Sequence, residues 1–233
     1  NWKCNPESPS GLPELVANIN ACDTSQCDLY VCPSSMHVGI VYKSFTNGAS
    51  VCPQNCNFKG CGAFTGEMAV DQMKLMGLEW CLIGHSERRG EFGLPTPKES
   101  NQLMATKLQY ILDQGLSCVF CIGEPLPIRE KGVDAVLAEC ANQLEDIVPI
   151  LKALEDKSRV VIAYEPVWAI GTGPWRRGRR RRASGERARG ARRGTPFSGL
   201  VCPSDVAQKV HATIRACAGG AAPYHAPASV ERR

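Results

Sequence analysis

The chain has 233 residues, 43% of them hydrophobic, which is enough for a sizeable core and excludes disorder of the whole. Its formal net charge of +4 is local, because residues 1–173 carry −7 whereas residues 174–199, with ten Arg and one Glu, carry +9. An acidic body disfavours a nucleic-acid or anionic-membrane protein, which needs basic charge spread over one face. No apolar run approaches the roughly 18 residues of a membrane span, and the start has neither Met nor a signal core, so we expect a soluble chain with a clipped N-terminus.

Five near-uniformly apolar runs predict β-strands. They lie at residues 27–33, 50–55, 78–84, 116–123 and 159–166. Runs without polar alternation are typical of parallel strands covered on both faces. Two helical stripes separate the later runs, one made of Met104, Leu108, Ile111 and Leu112 and one of Leu137, Cys140, Leu144, Ile147, Val148 and Leu151. This alternation predicts a barrel or an open doubly wound sheet, and the lack of G-x-G-x-x-G and G-x4-G-K-[ST] motifs disfavours dinucleotide and P-loop proteins.

The 13 cysteines are predicted to be reduced thiols. Their number is odd, and most lie inside apolar runs, where a free thiol behaves as a small hydrophobic side chain. Cys118 and Cys121 have C-x2-C spacing, but in a strand these positions face opposite sides of the sheet, and no second pair completes a zinc site. Cys52, Cys56 and Cys61 form a looser cluster with the same interpretation. We therefore expect no metal.

The regular pattern ends at Gly173. The Arg- and Gly-rich segment 174–200 is predicted to be a disordered insertion, since it is poor in apolar residues and dense in one charge sign. A helical pattern resumes within 201–215, and residues 216–233 form a divergent tail rich in Ala, Gly and Pro. The predicted organisation is therefore an α/β body at 1–173, followed by these three segments.

Polar and ionisable side chains follow several of the predicted strands. His85 and Glu165 end two apolar runs, Glu124 follows another, and Asn1 and Lys3 stand at the start of the chain. Because the carboxyl ends of parallel strands meet at one edge, we expect these groups to converge. A carboxylate, an imidazole and an ammonium at one mouth can transfer a proton beside a carbonyl, the carboxylate acting as base while the others polarise oxygen. The alternative is that His85 and Glu165 only pair with neighbouring polar groups.

The segment after Glu165 has the composition of a lid. Pro166-Val167-Trp168 is stiff, Ala169-Ile170 forms an apolar tip, and Gly171-Thr172-Gly173 offers flexible backbone with exposed N–H groups. Such a loop can close over a ligand and donate N–H groups to an anion. The alternative is an ordinary glycine turn.

Five segments together closely resemble the triosephosphate isomerase family, in that family's order and spacing. They are Asn1-Trp2-Lys3-Cys4-Asn5, Gly60-Cys61-Gly62-Ala63-Phe64-Thr65-Gly66-Glu67, Ile83-Gly84-His85-Ser86-Glu87-Arg88-Arg89, Cys121-Ile122-Gly123-Glu124 and the run from Ala163 to Gly173. The resemblance covers residues 1–173 closely and 201–215 weakly. It implies an α/β fold of the (β/α)8 TIM-barrel type. The barrel is expected to be incomplete, because part of strand 1 and strands 7 and 8, with their Y-G-G-S-V and G-G-A-S segments, find no counterpart.

The resemblance also implies an activity and the residues that perform it. Members of the family interconvert dihydroxyacetone phosphate and D-glyceraldehyde 3-phosphate through an enediolate, in glycolysis and gluconeogenesis, with no cofactor. By resemblance, Glu165 is the catalytic base, neutral His85 polarises the carbonyl, and Lys3 stabilises the developing negative charge. Asn1, Lys3 and the amide of Gly171 are implied to bind the phosphorylated triose.

Other expectations taken from the resemblance concern support and assembly. Ser86 and Glu87 are implied to support the site. Residues 60–67 are similar to the family's interdigitating loop, in which Thr65 reaches the partner subunit, so a homodimer is expected. The expected location is cytoplasmic, with the plastid as the alternative, and neither a membrane nor a nucleic-acid partner is expected.

The insertion sets this chain apart from the family pattern. Residues 174–200 interrupt the region of the lid hinge, where Pro174 stands, and the abrupt change in composition indicates a translated intron followed by an altered C-terminus. Impaired activity is therefore expected. The alternative function is that of a non-catalytic, aberrantly spliced product whose Arg-rich segment binds polyanions electrostatically.

Overall fold

The structure is a computed structural model that describes residues 1–90 and 98–166, together with residues 209, 210 and 212. The strands are β1 Tyr30–Val31, β2 Ser50–Val51, β3 Trp80–Ile83, β4 Ser117–Ile122 and β5 Val160–Tyr164. The α-helices are α1 Leu12–Asn20, α2 Ser35–Val41, α3 Val70–Leu75, α4 Asn101–Asp113, α5 Leu126–Arg129, α6 Val133–Glu145 and α7 Val148–Ala153. Short 3-10 helices lie at Pro9–Gly11, Ser86–Arg88 and Lys157–Arg159. All five predicted strands are present, each shorter than its apolar run.

The strands are parallel and follow one another in chain order. β1 pairs with β2, and β3, β4 and β5 form a second ladder. The amide of Leu82 donates to the carbonyl of Pro53 at 2.8 Å, which joins the two ladders, and the amide of Trp2 donates to the carbonyl of Cys32 at 2.8 Å, which adds the first residues beside β1. A doubly wound sheet needs a point where the strand order reverses, and the described strands contain none. Of the two predicted architectures, this order is that of a barrel wall.

The two faces of this wall pack into different clusters. Alternate residues of β3 and β4, such as Ile83 and Phe120, pack against the helices in the larger cluster, whereas Leu82 and Val119 face the opposite side. Period-two alternation therefore separates an outer, helix-covered face from an inner face. Apolar residues on both faces explain why the strand sequences read as unbroken hydrophobic runs.

Seven of the eleven cysteines in the described ranges are buried and pack as small hydrophobic residues, whereas Cys4, Cys22, Cys27 and Cys61 are exposed, so the predicted interpretation does not hold for Cys61. Cys118 belongs to the outer cluster and Cys121 to the inner one, which confirms that the C-x2-C pair faces opposite sides of the sheet. Burial raises the pKa of both thiols, so both stay protonated at neutral pH. Every cysteine in the described ranges is a free thiol, and no group of three or more His, Cys, Asp or Glu side chains there could hold a metal ion.

The helices follow the predicted stripes with one correction. The α4 stripe is buried as predicted, and Ser100 caps the helix by accepting a hydrogen bond from the amide of Leu103 at 3.2 Å. The second stripe is divided between α6 and α7, and Val148 is only partly buried. Pro149 explains the division, because proline has no amide hydrogen and fits the first turn of a new helix rather than the interior of a long one.

The C-terminal predictions fall largely beyond the described part of the chain. The insertion at 174–200, the tail at 216–233 and the lid glycines lie outside the described residues. Of the helix predicted within 201–215, Lys209 and Val210 are helical, and Val210 is fully buried in the outer cluster. None of the helices within the described ranges is long and apolar enough to cross a membrane.

Candidate active site

Three of the predicted site residues come from separate parts of the barrel wall. His85 follows β3 after one glycine, Glu165 directly follows β5, and Lys3 lies in the N-terminal segment that pairs beside β1. Since the strands are parallel, their carboxyl ends bring these residues to one edge. The convergence predicted from the sequence is therefore present in the geometry.

His85 and Glu165 are in direct contact. The distance between His85 Nε2 and Glu165 Oε2 is 3.2 Å, and the imidazole is almost completely buried whereas the carboxylate is about a third exposed. Glu165 Oε2 itself is buried and accepts no well-formed hydrogen bond from the described residues. One oxygen of this carboxylate is thus close to an imidazole N–H position and still able to accept a proton.

The backbone that follows His85 fixes the state of its ring. The amide of Glu87 donates to Nδ1 of His85 at 3.2 Å, so Nδ1 carries a lone pair and the proton of a neutral ring lies on Nε2, which faces Glu165. Burial lowers the pKa of His85, Glu165 and Glu87 oppose that shift, and Lys3 adds to it. The net direction favours the neutral imidazole, which acts as a hydrogen-bond donor through Nε2.

Lys3 is held in a strained backbone conformation beside the imidazole. Its φ is +55°, in the left-handed region that a side chain with a Cβ rarely occupies. Gln54 holds this conformation by donating to the carbonyl of Lys3 at 2.9 Å, and Lys3 Nζ donates to Glu87 Oε1 at 2.7 Å. Both charged side chains are about a third exposed. The strained residue therefore carries an ammonium that pairs with Glu87 and is partly exposed.

Of the remaining predicted residues, Asn1 and Ser86 lie at the site, whereas Thr65 is not seen there. Asn1 contacts the site through its side-chain oxygen, which accepts from the amide of Lys3 at 2.9 Å, and Ser86 is buried next to His85. Thr65 is exposed on the 60–67 loop and makes no described contact with the site in its own chain. Gly171 lies outside the described residues.

Glu124, which was predicted to reach the same edge, makes a structural contact instead. Glu124 is completely buried, and its Oε2 accepts a hydrogen bond from the hydroxyl of Tyr164 at 2.8 Å. It therefore ties the strand end after β4 to β5 instead of facing an open site. The alternation of β5 explains the contact, since Tyr164 points to the opposite face from its neighbour Glu165.

Sequence reasoning did not identify Arg89 as part of the site's framework. Its Nε donates to the carbonyl of Gly84 at 2.7 Å, and another guanidinium nitrogen donates to the carbonyl of Cys121 at 3.2 Å. The side chain thus joins the end of β3, immediately before His85, to the end of β4. The sequence gives only a weak indication of this role, because an arginine in the polar run Ser86–Arg89 could equally well be an exposed surface residue.

The order of the strands and the site at their carboxyl ends define a class of protein: a parallel α/β barrel-type fold with acid–base residues at its mouth. Residues 1–178 match the family model described as Triosephosphate isomerase. The chain belongs to the triosephosphate isomerase family, which confirms both the resemblance and the fold that it implied.

Individual relatives agree with the family match. A triosephosphate isomerase of Coprinopsis cinerea is 41% identical over 174 residues, and one of Taenia solium is 38% identical over 174 residues. Each comparison covers 74% of this chain and 66% of the relative. A protein of Fragaria ananassa named triosephosphate isomerase, chloroplastic, is 37% identical over 74% of this chain and 52% of its own length. The chain thus spans slightly less than two thirds of the length of the first two relatives and about half the length of the third.

Proposed function

We propose that this protein interconverts dihydroxyacetone phosphate and D-glyceraldehyde 3-phosphate through an enediolate, without a cofactor. The observation that carries the proposal is the 3.2 Å approach of His85 Nε2 to the buried oxygen of Glu165, at the mouth of a barrel wall. A base and a neutral donor this close can act on adjacent atoms of one small substrate. Family membership supplies the identity of the substrate.

Each role follows from the chemistry of the group. Glu165 removes a proton from one carbon of the substrate and returns it to the neighbouring carbon. His85 donates a hydrogen bond from Nε2 to the carbonyl oxygen as negative charge develops there. A neutral imidazole can do this because its one N–H is on Nε2. Lys3 stabilises the enediolate and the phosphate. Its short contact with Glu87 holds the ammonium in place until an anionic substrate binds.

The finer parts of the proposal concern substrate contacts and assembly. We place Asn1 and the amide of Gly171 among the groups that bind substrate, with Ser86 in a supporting position. A homodimer, with Thr65 entering the partner subunit, is supported by the exposure of that residue on its loop. The proposed location is cytoplasmic, and the plastid is the alternative because one relative is named as chloroplastic.

The insertion modifies the proposed function. We propose that residues 174–200 lower turnover, because they follow the lid glycines directly and separate them from the helix at 201–215. The alternative proposal is a non-catalytic product whose Arg-rich segment binds polyanions, and it is supported by ten Arg within residues 174–199.

A test of the isomerase uses the full chain and a shortened base. Glu165→Asp withdraws the carboxylate by about one methylene, so the base no longer reaches the substrate carbon, and we expect kcat to fall by about 10²-fold or more. The measurement is formation of dihydroxyacetone phosphate from D-glyceraldehyde 3-phosphate in a coupled assay. Glu145→Asp, at an exposed position of α6, is the matched control and is expected to retain full turnover. Equal turnover in the two variants would contradict the role of Glu165.

A further inference from the structure

Gln143 on α6 makes an unusual set of contacts with the backbone after β4. Its side chain is only 3% exposed. Its Oε1 accepts from the amide of Gly123 at 2.9 Å, and its Nε2 donates to the carbonyl of the same residue at 2.9 Å. Nε2 also donates to Glu139 Oε1 at 2.8 Å, which fixes the orientation of the amide group. One side chain therefore satisfies both backbone polar groups of Gly123 and determines the peptide planes on either side of it.

Gly123 in turn lies against the backbone of Glu165. A Cβ on Gly123 would stand 1.8 Å from the carbonyl oxygen of Glu165 and 2.6 Å from its carbonyl carbon, so only glycine fits there. The amide of Glu165 donates to the carbonyl of Ile122 at 2.7 Å, immediately before Gly123. The backbone of Glu165 is thus in contact with residues 122 and 123, and any displacement of that segment also displaces the carboxylate.

The chemistry of position 143 supports a role beyond filling space. Burying an amide costs free energy unless all its polar atoms are hydrogen-bonded, and a hydrocarbon of the same size would fill the volume without that cost. Both polar atoms of the amide at position 143 are hydrogen-bonded, and two of its three bonds go to Gly123, which lies against the backbone of Glu165. Directional bonds hold a backbone segment more exactly than apolar contacts do.

We propose that Gln143 is a positioning residue that sets the distance between Glu165 and His85 through the backbone of Gly123. The proposal rests on the proposed isomerase function, in which that distance decides whether the base reaches the substrate carbon. Its structural consequence can be measured whether or not the chain turns over substrate. Loss of the Gln143 amide moves the Glu165 carboxylate away from His85.

The test measures both consequences in the full chain. Gln143→Met keeps the length and volume of the side chain but removes its three hydrogen bonds. We expect kcat for D-glyceraldehyde 3-phosphate to fall by about 10²-fold with KM changed by no more than about threefold, because the base is displaced while substrate contacts remain. We also expect the NMR titration midpoint of the His85 imidazole to fall, because the nearby Glu165 carboxylate raises that pKa in the native site. Glu165→Gln, which removes the charge, gives the full size of that shift.

Controls separate positioning from general destabilisation. Leu144→Val truncates the next residue of α6, also buried, and is expected to lower the unfolding midpoint while leaving kcat and the His85 titration unchanged. If Gln143→Met does not fold, Gln143→Asn keeps an amide that is one methylene too short to make both bonds to Gly123, and it is measured in the same way. An unchanged His85 titration in either folded variant would overturn the proposal. An inactive wild-type chain would instead refute the isomerase function and leave the titration to decide the positioning role.

Discussion

His85 is surrounded by groups that move its pKa in opposite directions. Burial of the ring dominates and lowers the pKa below the ordinary value of 6.5, whereas the carboxylates of Glu165 and Glu87 raise it and the ammonium of Lys3 lowers it. In the folded chain the imidazole thus binds its second proton less readily than in the unfolded chain. The free energy of unfolding should therefore decrease as the pH falls below about 6.5, and level off once the pH is below the folded pKa.

A substitution at Lys3 tests this electrostatic balance. Lys3→Met removes a positive charge that lowers the pKa of His85, so the titration midpoint of the ring should rise and the loss of turnover at acid pH should begin at a higher pH. NMR titration of the imidazole and a pH profile of kcat measure the two effects. Lys152→Met, at an exposed position of α7, should leave both unchanged. A midpoint that falls in Lys3→Met would show that the surroundings of His85 differ from those described.

At the scale of elements, a buried ion pair connects α4 to the segment before it. Lys107 and Glu99 are both buried, and Lys107 Nζ donates to Glu99 Oε1 at 2.9 Å and to Asn55 Oδ1 at 3.0 Å. Arg88 Nε donates to the same carboxylate oxygen at 2.7 Å. The cluster thus joins the helix, the loop after β2 and the short helix that begins at Ser86.

Removal of the lysine should destabilise the fold strongly. Lys107→Met leaves Glu99 buried with one positive partner fewer, and we expect the free energy of unfolding to drop by about 3–5 kcal/mol. The double variant Lys107→Met, Glu99→Gln should recover part of that loss, because the buried charge is removed as well. Urea unfolding followed by circular dichroism measures both. If the single variant is as stable as wild type, Glu99 has an environment more polar than the one described.

Helices and strands could be predicted where a single property, such as burial of both faces of a strand, determined the pattern of apolar residues. The strands were found because both of their faces are buried, and the meeting of His85 with Glu165 followed from parallel strands ending at one edge. The division between α6 and α7 was missed because the apolar stripe continues across it and Pro149 alone marks the break. Gln143 and Lys107 were missed for another reason: each is a polar residue on an amphipathic helix, and only packing against a segment distant in sequence buries it.

At the scale of the whole molecule, the charge distribution remains the most distinctive property of the sequence. The first 173 residues carry a net −7, and the next 26 carry +9. The isomerase proposal and the polyanion-binding alternative assign different consequences to that basic segment. In the first it separates the lid from the helix at 201–215, and in the second it is the binding element itself.

Deletion of residues 174–199 distinguishes the two proposals. If the chain is an isomerase, the deletion should raise kcat. It brings the lid glycines next to the helix at 201–215, and loop closure then no longer has to accommodate a long insertion at the hinge. A second variant with all ten Arg of the segment changed to Gln keeps its length and removes its charge, so its kcat should stay at the level of the intact chain. Retention on immobilised RNA at low salt, lost in both variants and in the intact chain at high salt, would instead support polyanion binding. A deletion variant with no gain in turnover would refute the proposed effect of the insertion on the lid.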